Sequence, residues 1–174
     1  MSQQSEFVER VVRLAEVHAE AHWELDWSRV EASLGHALPF DYKRLCEELP
    51  PGKFCDFFWI LHPVGSKGAS MLGRSSELIE AVEEFIEDED ECPGESGRIF
   101  PCFVTDNGDV GYWIADTDNP DDWTVAINEG RGPEWEPTEL SLSAFLYQLL
   151  TGGYVSGLFP ESLRSREPRF SSNF

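Results

Sequence analysis

The chain has 174 residues, of which 41% are hydrophobic, and it contains six tryptophans and twelve phenylalanines. This length and composition predict one domain with a packed core and exclude an intrinsically disordered chain. The formal net charge is −20, from 13 basic and 33 acidic residues, which disfavours nucleic acid or an anionic membrane as a ligand because both require clustered lysine and arginine. A basic protein partner is compatible with this charge, and acidity that only maintains solubility is an equal alternative.

Targeting and cysteine signals are weak. The first twelve residues lack the basic, apolar and small-residue order of a signal peptide, and no apolar run is long enough to span a bilayer. The four cysteines, Cys46, Cys55, Cys92 and Cys102, form no closely spaced pair, so reduced thiols are expected. These features predict a cytoplasmic protein without a metal or cofactor.

The first two helices are predicted from apolar spacing and caps. Residues Glu6–Trp23 carry apolar side chains at intervals of three and four, and this helix is expected to pack beside the next one. Ser28, with Glu31 three residues later, has the spacing of a capping box for a helix over Arg29–Leu34. Gly35 suits the left-handed residue that ends a helix.

A third helix is predicted to begin near Pro39 and to end at the Pro50-Pro51-Gly52 break. Its apolar stripe predicts three inward residues, Phe40, Leu45 and Leu49, with Tyr42 and Cys46 at the edges. The charged positions are expected to face water: Asp41, Lys43, Arg44, Glu47 and Glu48.

The middle of the chain is expected to hold a strand, a helix and a loop. The aromatic run Phe54–Leu61 has little alternation, which is typical of a central strand covered on both faces. After a glycine-containing loop, Ser75 or Ser76 is predicted to cap a helix that runs to Ile86. Residues 87–97 have no apolar period and predict an exposed loop.

The second half predicts a three-stranded meander and a last helix. Strands Ile99–Thr105 and Val110–Ala115 flank Asn107-Gly108, a dipeptide that supplies the positive backbone angles of a tight hairpin turn. A third strand is expected over Trp123–Asn128, and a helix over Leu142–Leu150.

This layout contains several segments of a known family. They are Trp27, Val30 and Leu34 before Gly35, the run Leu38–Leu45 (LPFDYKRL), Gly52 with its apolar strand, the hairpin Cys102–Asp116, and Ser141–Leu150. In these residues and their order the chain resembles the SMI1/KNR4, or SUKH, family over about residues 23–150. The resemblance implies one domain over residues 1–174, with 151–174 as a C-terminal extension. Two departures are the Pro50-Pro51-Gly52 exit, where the family has an Asn-Gly-Gly-like sequence, and an acidic insertion between Glu83 and Glu95.

The resemblance implies a fold and a function. The fold is α+β, with a mainly antiparallel mixed sheet flanked by helices, in agreement with the element order. The function is that of a bacterial immunity protein, which binds and neutralises a toxin domain, often a nuclease. The alternative is an intracellular regulatory or scaffold module, as the fungal members of the family are. No enzymatic activity is implied.

The candidate partner-binding residues combine acidic segments with one aromatic residue. From Glu77 to Glu139 there are twenty acidic residues and two basic ones, and a nuclease is basic where it holds phosphates, so a carboxylate-rich surface fits it. Tryptophan is a frequent interface anchor, and alternation places Trp113 and Tyr112 on opposite faces of their strand. The predicted residues are Glu87, Asp88, Glu89, Asp90, Glu91, Asp116, Asp118, Asp121, Asp122 and Trp113.

Catalytic and metal motifs are incomplete. His18 and His22 are four residues apart, but the glutamate that a zincin motif places directly after the first histidine is missing. The aspartates from Asp116 to Asp122 lack the glycine and glutamate of a calcium loop, and turn chemistry accounts for them. No nucleophile elbow or phosphate-binding loop is present, so a hydrolase or metal enzyme is the third hypothesis, after immunity and regulation.

Overall fold

A computed structural model describes residues 3–17, 23–66, 68–84, 92–130 and 132–172. Five α-helices occur in these residues: α1 Gln3–Ala15, α2 Trp27–Leu34, α3 Phe40–Glu48, α4 Met71–Glu83 and α5 Leu142–Thr151. Seven strands occur with them: β1 Gly52–Phe54, β2 Phe58–Ile60, β3 Ile99–Thr105, β4 Val110–Ile114, β5 Thr124–Asn128, β6 Trp135–Pro137 and β7 Phe170–Ser172. Two short 3₁₀ turns cover Pro120–Asp122 and Glu161–Ser165.

All seven strands form one sheet in the order β6-β5-β4-β3-β2-β1-β7. Every neighbouring pair is antiparallel. Within the described ranges the parallel pairing is confined to an isolated bridge between His62 and Ser70. The α+β class is therefore confirmed, and the sheet is antiparallel rather than mixed.

Helices cover both faces of the sheet. On one face the Trp113 ring packs edge-on against Tyr42 of α3, with ring centroids 5.0 Å apart, and Phe103 stacks on Phe145 of α5 at 5.5 Å. Helix α1 packs outside α3 and α5. On the other face the Tyr112 hydroxyl donates a hydrogen bond to the Leu78 carbonyl of α4. All five residues of β4 are consequently buried.

The β3–β4 hairpin is confirmed, but its turn differs from the prediction at Asn107. The Gly108 N–H donates to the Thr105 carbonyl and the Thr105 N–H donates to the Asp109 carbonyl, at 3.0 and 2.9 Å. Gly108 has a φ of +93°, whereas Asn107 does not have a positive φ. The turn therefore needs one left-handed residue, and glycine supplies it.

The predicted strand Phe54–Leu61 is wrong, because this stretch is a hairpin. Strands β1 and β2 are joined by a turn in which Cys55 and Asp56 have φ values of +55° and +50°. The Phe57 N–H donates to the Phe54 carbonyl at 3.0 Å, so the turn is of type I′. Strand β2 then pairs with β3, and β1 pairs with β7.

Two predicted helix caps are wrong. Helix α2 begins at Trp27, and the Asp26 carboxylate accepts the Arg29 N–H at 3.1 Å, so Ser28 lies inside the helix. Helix α4 is capped by Ser70 rather than by Ser75 or Ser76. Ser75 lies within α4, where its hydroxyl donates to the Met71 carbonyl at 2.6 Å. In both helices the competing serine satisfies no free N–H of the first turn.

Helix α3 presents two residues differently from the prediction. Phe40 is 41% exposed, whereas Asp41 is 1% exposed. The Asp41 carboxylate accepts the backbone N–H of Ser143 in the first turn of α5, at 2.8 Å. Asp41 thus caps a helix that Ser141 precedes without a side-chain hydrogen bond.

Both ends of the chain also differ from the prediction. Helix α1 ends at Ala15, short of the expected Trp23, and packs on α3 and α5 rather than beside α2. At the other end β7 extends the sheet, and its Phe170 ring packs on Phe54 with centroids 4.8 Å apart. No helix in the described part of the chain combines the length and apolar character needed to cross a membrane.

Candidate interaction surface

The loop of residues 116–122, between β4 and β5, presents the predicted aspartates, and we call it the aspartate turn. It is held on the sheet by Trp123, whose indole N–H donates to the Thr117 carbonyl at 2.8 Å. The Asn119 side chain accepts the Asp121 N–H at the start of the 3₁₀ turn. These bonds fix the backbone of the loop, so its carboxylates project from a defined surface.

Two of the predicted aspartates face the segment of residues 92–98. The Asp116 carboxylate accepts the N–H groups of Glu95 and Ser96, both at 2.8 Å. The hydrogen bond from Ser96 is the main cause that lowers the pKa of Asp116, so this carboxylate is ionised at neutral pH. The Asp118 side chain is fully exposed, with Arg98 Nη2 3.5 Å from its Oδ1.

The other two aspartates have partners within the fold. Asp121 Oδ1 accepts the Phe40 N–H at 2.7 Å, at the beginning of α3, where Pro39 provides no side-chain cap. Asp122 Oδ2 accepts a hydrogen bond from the Asn119 side-chain amide at 3.0 Å. Asp121 therefore has a structural role as well as an exposed charge. Asp118 and Asp122 are the aspartates whose carboxylates are least engaged within the protein.

Trp113 is withdrawn from the predicted site, because its side chain is 0% exposed. It packs between Tyr42 and Trp123, under α3. Alternation placed Trp113 and Tyr112 on opposite faces of β4, as observed, but a helix covers each face. The predicted residues Glu87, Asp88, Glu89, Asp90 and Glu91 lie outside the described residues.

Three aromatic side chains that the sequence did not single out border the aspartate turn, and we call them the aromatic rim: His36, Phe40 and Phe100. Phe40 adjoins Asp121 through its backbone hydrogen bond. The His36 ring stacks on Phe100, with centroids 3.7 Å apart, and Phe100 packs on Trp123 at 5.3 Å. His36 and Phe100 are half-buried. No local sequence pattern predicts this surface, because the three residues of the aromatic rim come from separate segments.

Charge on this surface is one-sided. From Cys92 to Gly130 the sequence contains one basic residue, Arg98. Burial lowers the pKa of His36, so its ring is neutral at pH 7 and adds no positive charge. The surface therefore combines exposed carboxylates with flat aromatic faces, an arrangement that attracts lysine and arginine side chains.

Buried titratable groups elsewhere in the fold include Cys46, Cys102 and His62. Burial raises the pKa of the Cys46 and Cys102 thiols, which keeps them protonated. Burial also lowers the pKa of His62, whose Nε2 donates to the Cys46 carbonyl at 3.0 Å and whose Nδ1 accepts the Val64 N–H at 3.2 Å. Within the described ranges, no three His, Cys, Asp or Glu side chains are grouped to hold a metal. His18 and His22 lie outside those ranges.

Comparison with known proteins identifies no relative of this chain. No model of a known protein family, no curated protein and no solved structure matches the chain. The resemblance to the SUKH family therefore stands on the residues quoted above.

Proposed function

We propose that this chain is an immunity protein of the SUKH type, which neutralises a basic toxin domain by binding it. The observation that carries the proposal is the aspartate turn beside the aromatic rim, with Asp118 fully exposed and Phe40 41% exposed. A protein interface needs apolar anchors and charges that complement the partner. Both occur here on a backbone that hydrogen bonds hold in place.

The proposed inhibition is steric and electrostatic and involves no turnover. A nuclease holds phosphates with lysine and arginine, and exposed carboxylates occupy the same side chains. Asp118 and Asp122 pair with the partner's cations, and the Phe40 ring offers a face on which a guanidinium stacks. The acidic run Glu87–Glu91 belongs to the same proposal as a second contact, since it precedes Cys92 by sequence.

The family assignment and the cellular location belong to the same proposal. An antiparallel sheet with helices on both faces is compatible with a SUKH-like domain, and the order of helices and strands supports it. A toxin delivered into a cell acts in the cytoplasm, so the inhibitor is expected there too. The proposed partner is a cognate toxin domain, without nucleic acid, membrane or cofactor.

The experiment compares the rates at which the wild type and charge-neutralised variants associate with a candidate basic toxin domain, sought among the products of neighbouring genes. The double variant Asp118→Asn, Asp122→Asn should associate more slowly, because rim charges act mainly on the association rate. We expect roughly a tenfold decrease at low salt, which fades as salt screens the charges. The matched control is the double variant Asp56→Asn, Glu167→Gln, which removes the same number of charges from two exposed carboxylates at the β1–β2 turn. Asparagine tolerates the positive φ of Asp56.

Three results separate the hypotheses. A slower double variant with an unchanged control supports the aspartate turn as the docking surface. Equal effects of the double variant and the control would contradict it, because net charge alone would then explain the rates. Tight binding that leaves the toxin active would favour the regulatory or scaffold module instead of immunity.

A further inference from the structure

A groove of a different character lies between the end of α5 and the 3₁₀ turn Glu161–Ser165, and we call it the C-terminal groove. It consists of two adjoining cavities of about 260 and 140 Å³. Both are lined by Leu149, Gly152, Leu163 and Arg164. The groove is therefore a continuous depression with a shared wall rather than two unrelated pits.

The two cavities differ in chemistry. The larger one is lined by apolar side chains that include Val155 and Phe159. Val155 is 53% exposed at its edge, whereas Phe159 is buried in its floor. The smaller cavity carries Arg164 and Arg166 beside the β1–β2 turn. One end of the groove thus suits an apolar side chain and the other suits an anion.

The arginines of this segment are unusual for so acidic a protein. Seven of the eleven described basic residues lie within 4.0 Å of a carboxylate. Among the described residues Arg164, Arg166 and Arg169 have no such partner, and the one other exception is Arg29 on α2. Arg166 is nevertheless held in position, because its Nη1 donates to the Cys55 carbonyl at 2.8 Å.

We propose that the C-terminal groove binds a short segment of a partner protein in which a bulky apolar side chain lies next to an acidic one. The apolar side chain enters the cavity floored by Phe159. The neighbouring carboxylate pairs with Arg164 and Arg166, whose planar guanidinium groups bind carboxylates with two hydrogen bonds.

Charge and size select this occupant over others. A nucleic acid strand carries one negative charge per phosphate, so the net charge of −20 repels it more strongly than it repels a single carboxylate. A lone anion leaves the apolar cavity unfilled.

The groove is separate from the aspartate turn. The aspartate turn follows Ile114, which pairs with Ile99 at one end of β3. The β1–β2 turn precedes Phe58, which pairs with Thr105 at the other end of β3. Seven residues of strand separate these ends by roughly 20 Å. The chain therefore offers two docking sites of opposite charge, and the groove does not depend on the immunity proposal.

The test is a fluorescence anisotropy titration of the full chain with two labelled heptapeptides. Each has one central phenylalanine, which two aspartates follow in the first peptide and two lysines in the second. The protein variants are Arg164→Glu and, as the matched control, Arg29→Glu. Neither side chain forms an ion pair or hydrogen bond within the described residues, so both variants are expected to fold.

We expect the aspartate peptide to bind the wild type and Arg29→Glu equally and to bind Arg164→Glu at least about tenfold more weakly. Replacing the phenylalanine by serine should abolish its binding. The lysine peptide reports on the aspartate turn and should be insensitive to Arg164→Glu. The proposal is overturned if the aspartate peptide does not bind at millimolar concentration or if the two variants behave alike. It is also overturned if sedimentation shows a dimer that Arg164→Glu dissociates, since the occupant would then be a second copy.

Discussion

Asp41 shows how one residue decides the junction between two helices. Its carboxylate is buried, and burial is the main cause that raises its pKa, whereas the hydrogen bonds from Ser143 oppose this shift. Asp41 supplies an acceptor for the Ser143 N–H, which has no alternative partner from Ser141. The side chain is therefore needed as a hydrogen-bond acceptor more than as a charge.

We predict that Asp41→Ala lowers the free energy of unfolding by about 2 kcal/mol, because a helix cap is lost and a buried N–H is left without an acceptor. Asp41→Asn keeps a neutral acceptor oxygen and should cost less than the alanine variant. Urea denaturation followed by circular dichroism measures both. Asp118→Ala is the control and should leave stability unchanged, and equal stability of Asp41→Ala and Asp118→Ala would contradict the capping role.

His62 predicts how stability depends on pH. In the folded chain, burial lowers the pKa of His62 below its ordinary value of 6.5. As the pH falls below 6.5, the unfolded chain takes up a proton before the folded chain does, so the contribution of His62 to stability is lost. We expect the wild type to lose more stability than His62→Gln between neutral pH and the folded pKa, measured as denaturation midpoints at several pH values. Parallel pH profiles of the two proteins would show that His62 does not titrate in this way.

At the scale of elements, local chemistry predicted the hairpin and the last helix. Gly108 provides the positive φ that the β3–β4 turn requires, and Gly152 ends α5 with a φ of +79°. Gly111 explains a closer contact on the same hairpin: a Cβ there would lie 1.9 Å from the Phe103 ring. The absence of that carbon lets Phe103 cover Gly111 and reach Phe145 on α5.

Other elements were missed because their determinants are not local. The β1–β2 turn uses Cys55 and Asp56 in left-handed conformations, and this dipeptide is not a standard signal of a type I′ turn. The start of α4 is predicted too late, with Ser75 or Ser76 as the cap, whereas the Ser70 hydroxyl accepts the Gly73 N–H. Helical periodicity identified the apolar stripe of α3. Phe40, however, is the first residue of α3, and its side chain lies beyond the part of the helix that packs against the sheet.

The candidate site was predicted in part for the same reason. Asp116, Asp118, Asp121 and Asp122 do share one exposed turn, as turn-forming residues indicate. Alternation separated Trp113 from Tyr112 but did not reveal that helices cover both faces of β4. The aromatic rim requires the meeting of α3, β3 and the residue after Gly35, which no single segment encodes.

For the whole molecule, the distribution of charge matters more than its total. The end of the sheet at the aspartate turn carries exposed carboxylates, whereas the end near the β1–β2 turn combines the exposed Asp56 and Asp106 with arginines that have no acidic partner in the described ranges. A uniform solubilising charge does not require this separation. The two proposed docking sites would account for it, with the aspartate turn as the one proposed for the immunity function.

The most direct test of the immunity function is calorimetric titration of the full chain with a candidate toxin, namely a basic C-terminal domain of a large secreted protein, sought among the products of neighbouring genes. Titrations at about 0.05 M and about 0.5 M salt bracket weak and strong screening. The account predicts one-to-one binding that weakens markedly at the higher salt concentration and abolishes the toxic activity. Binding with the same affinity at both salt concentrations would contradict docking through the aspartate turn, and no binding at either would contradict the immunity function itself.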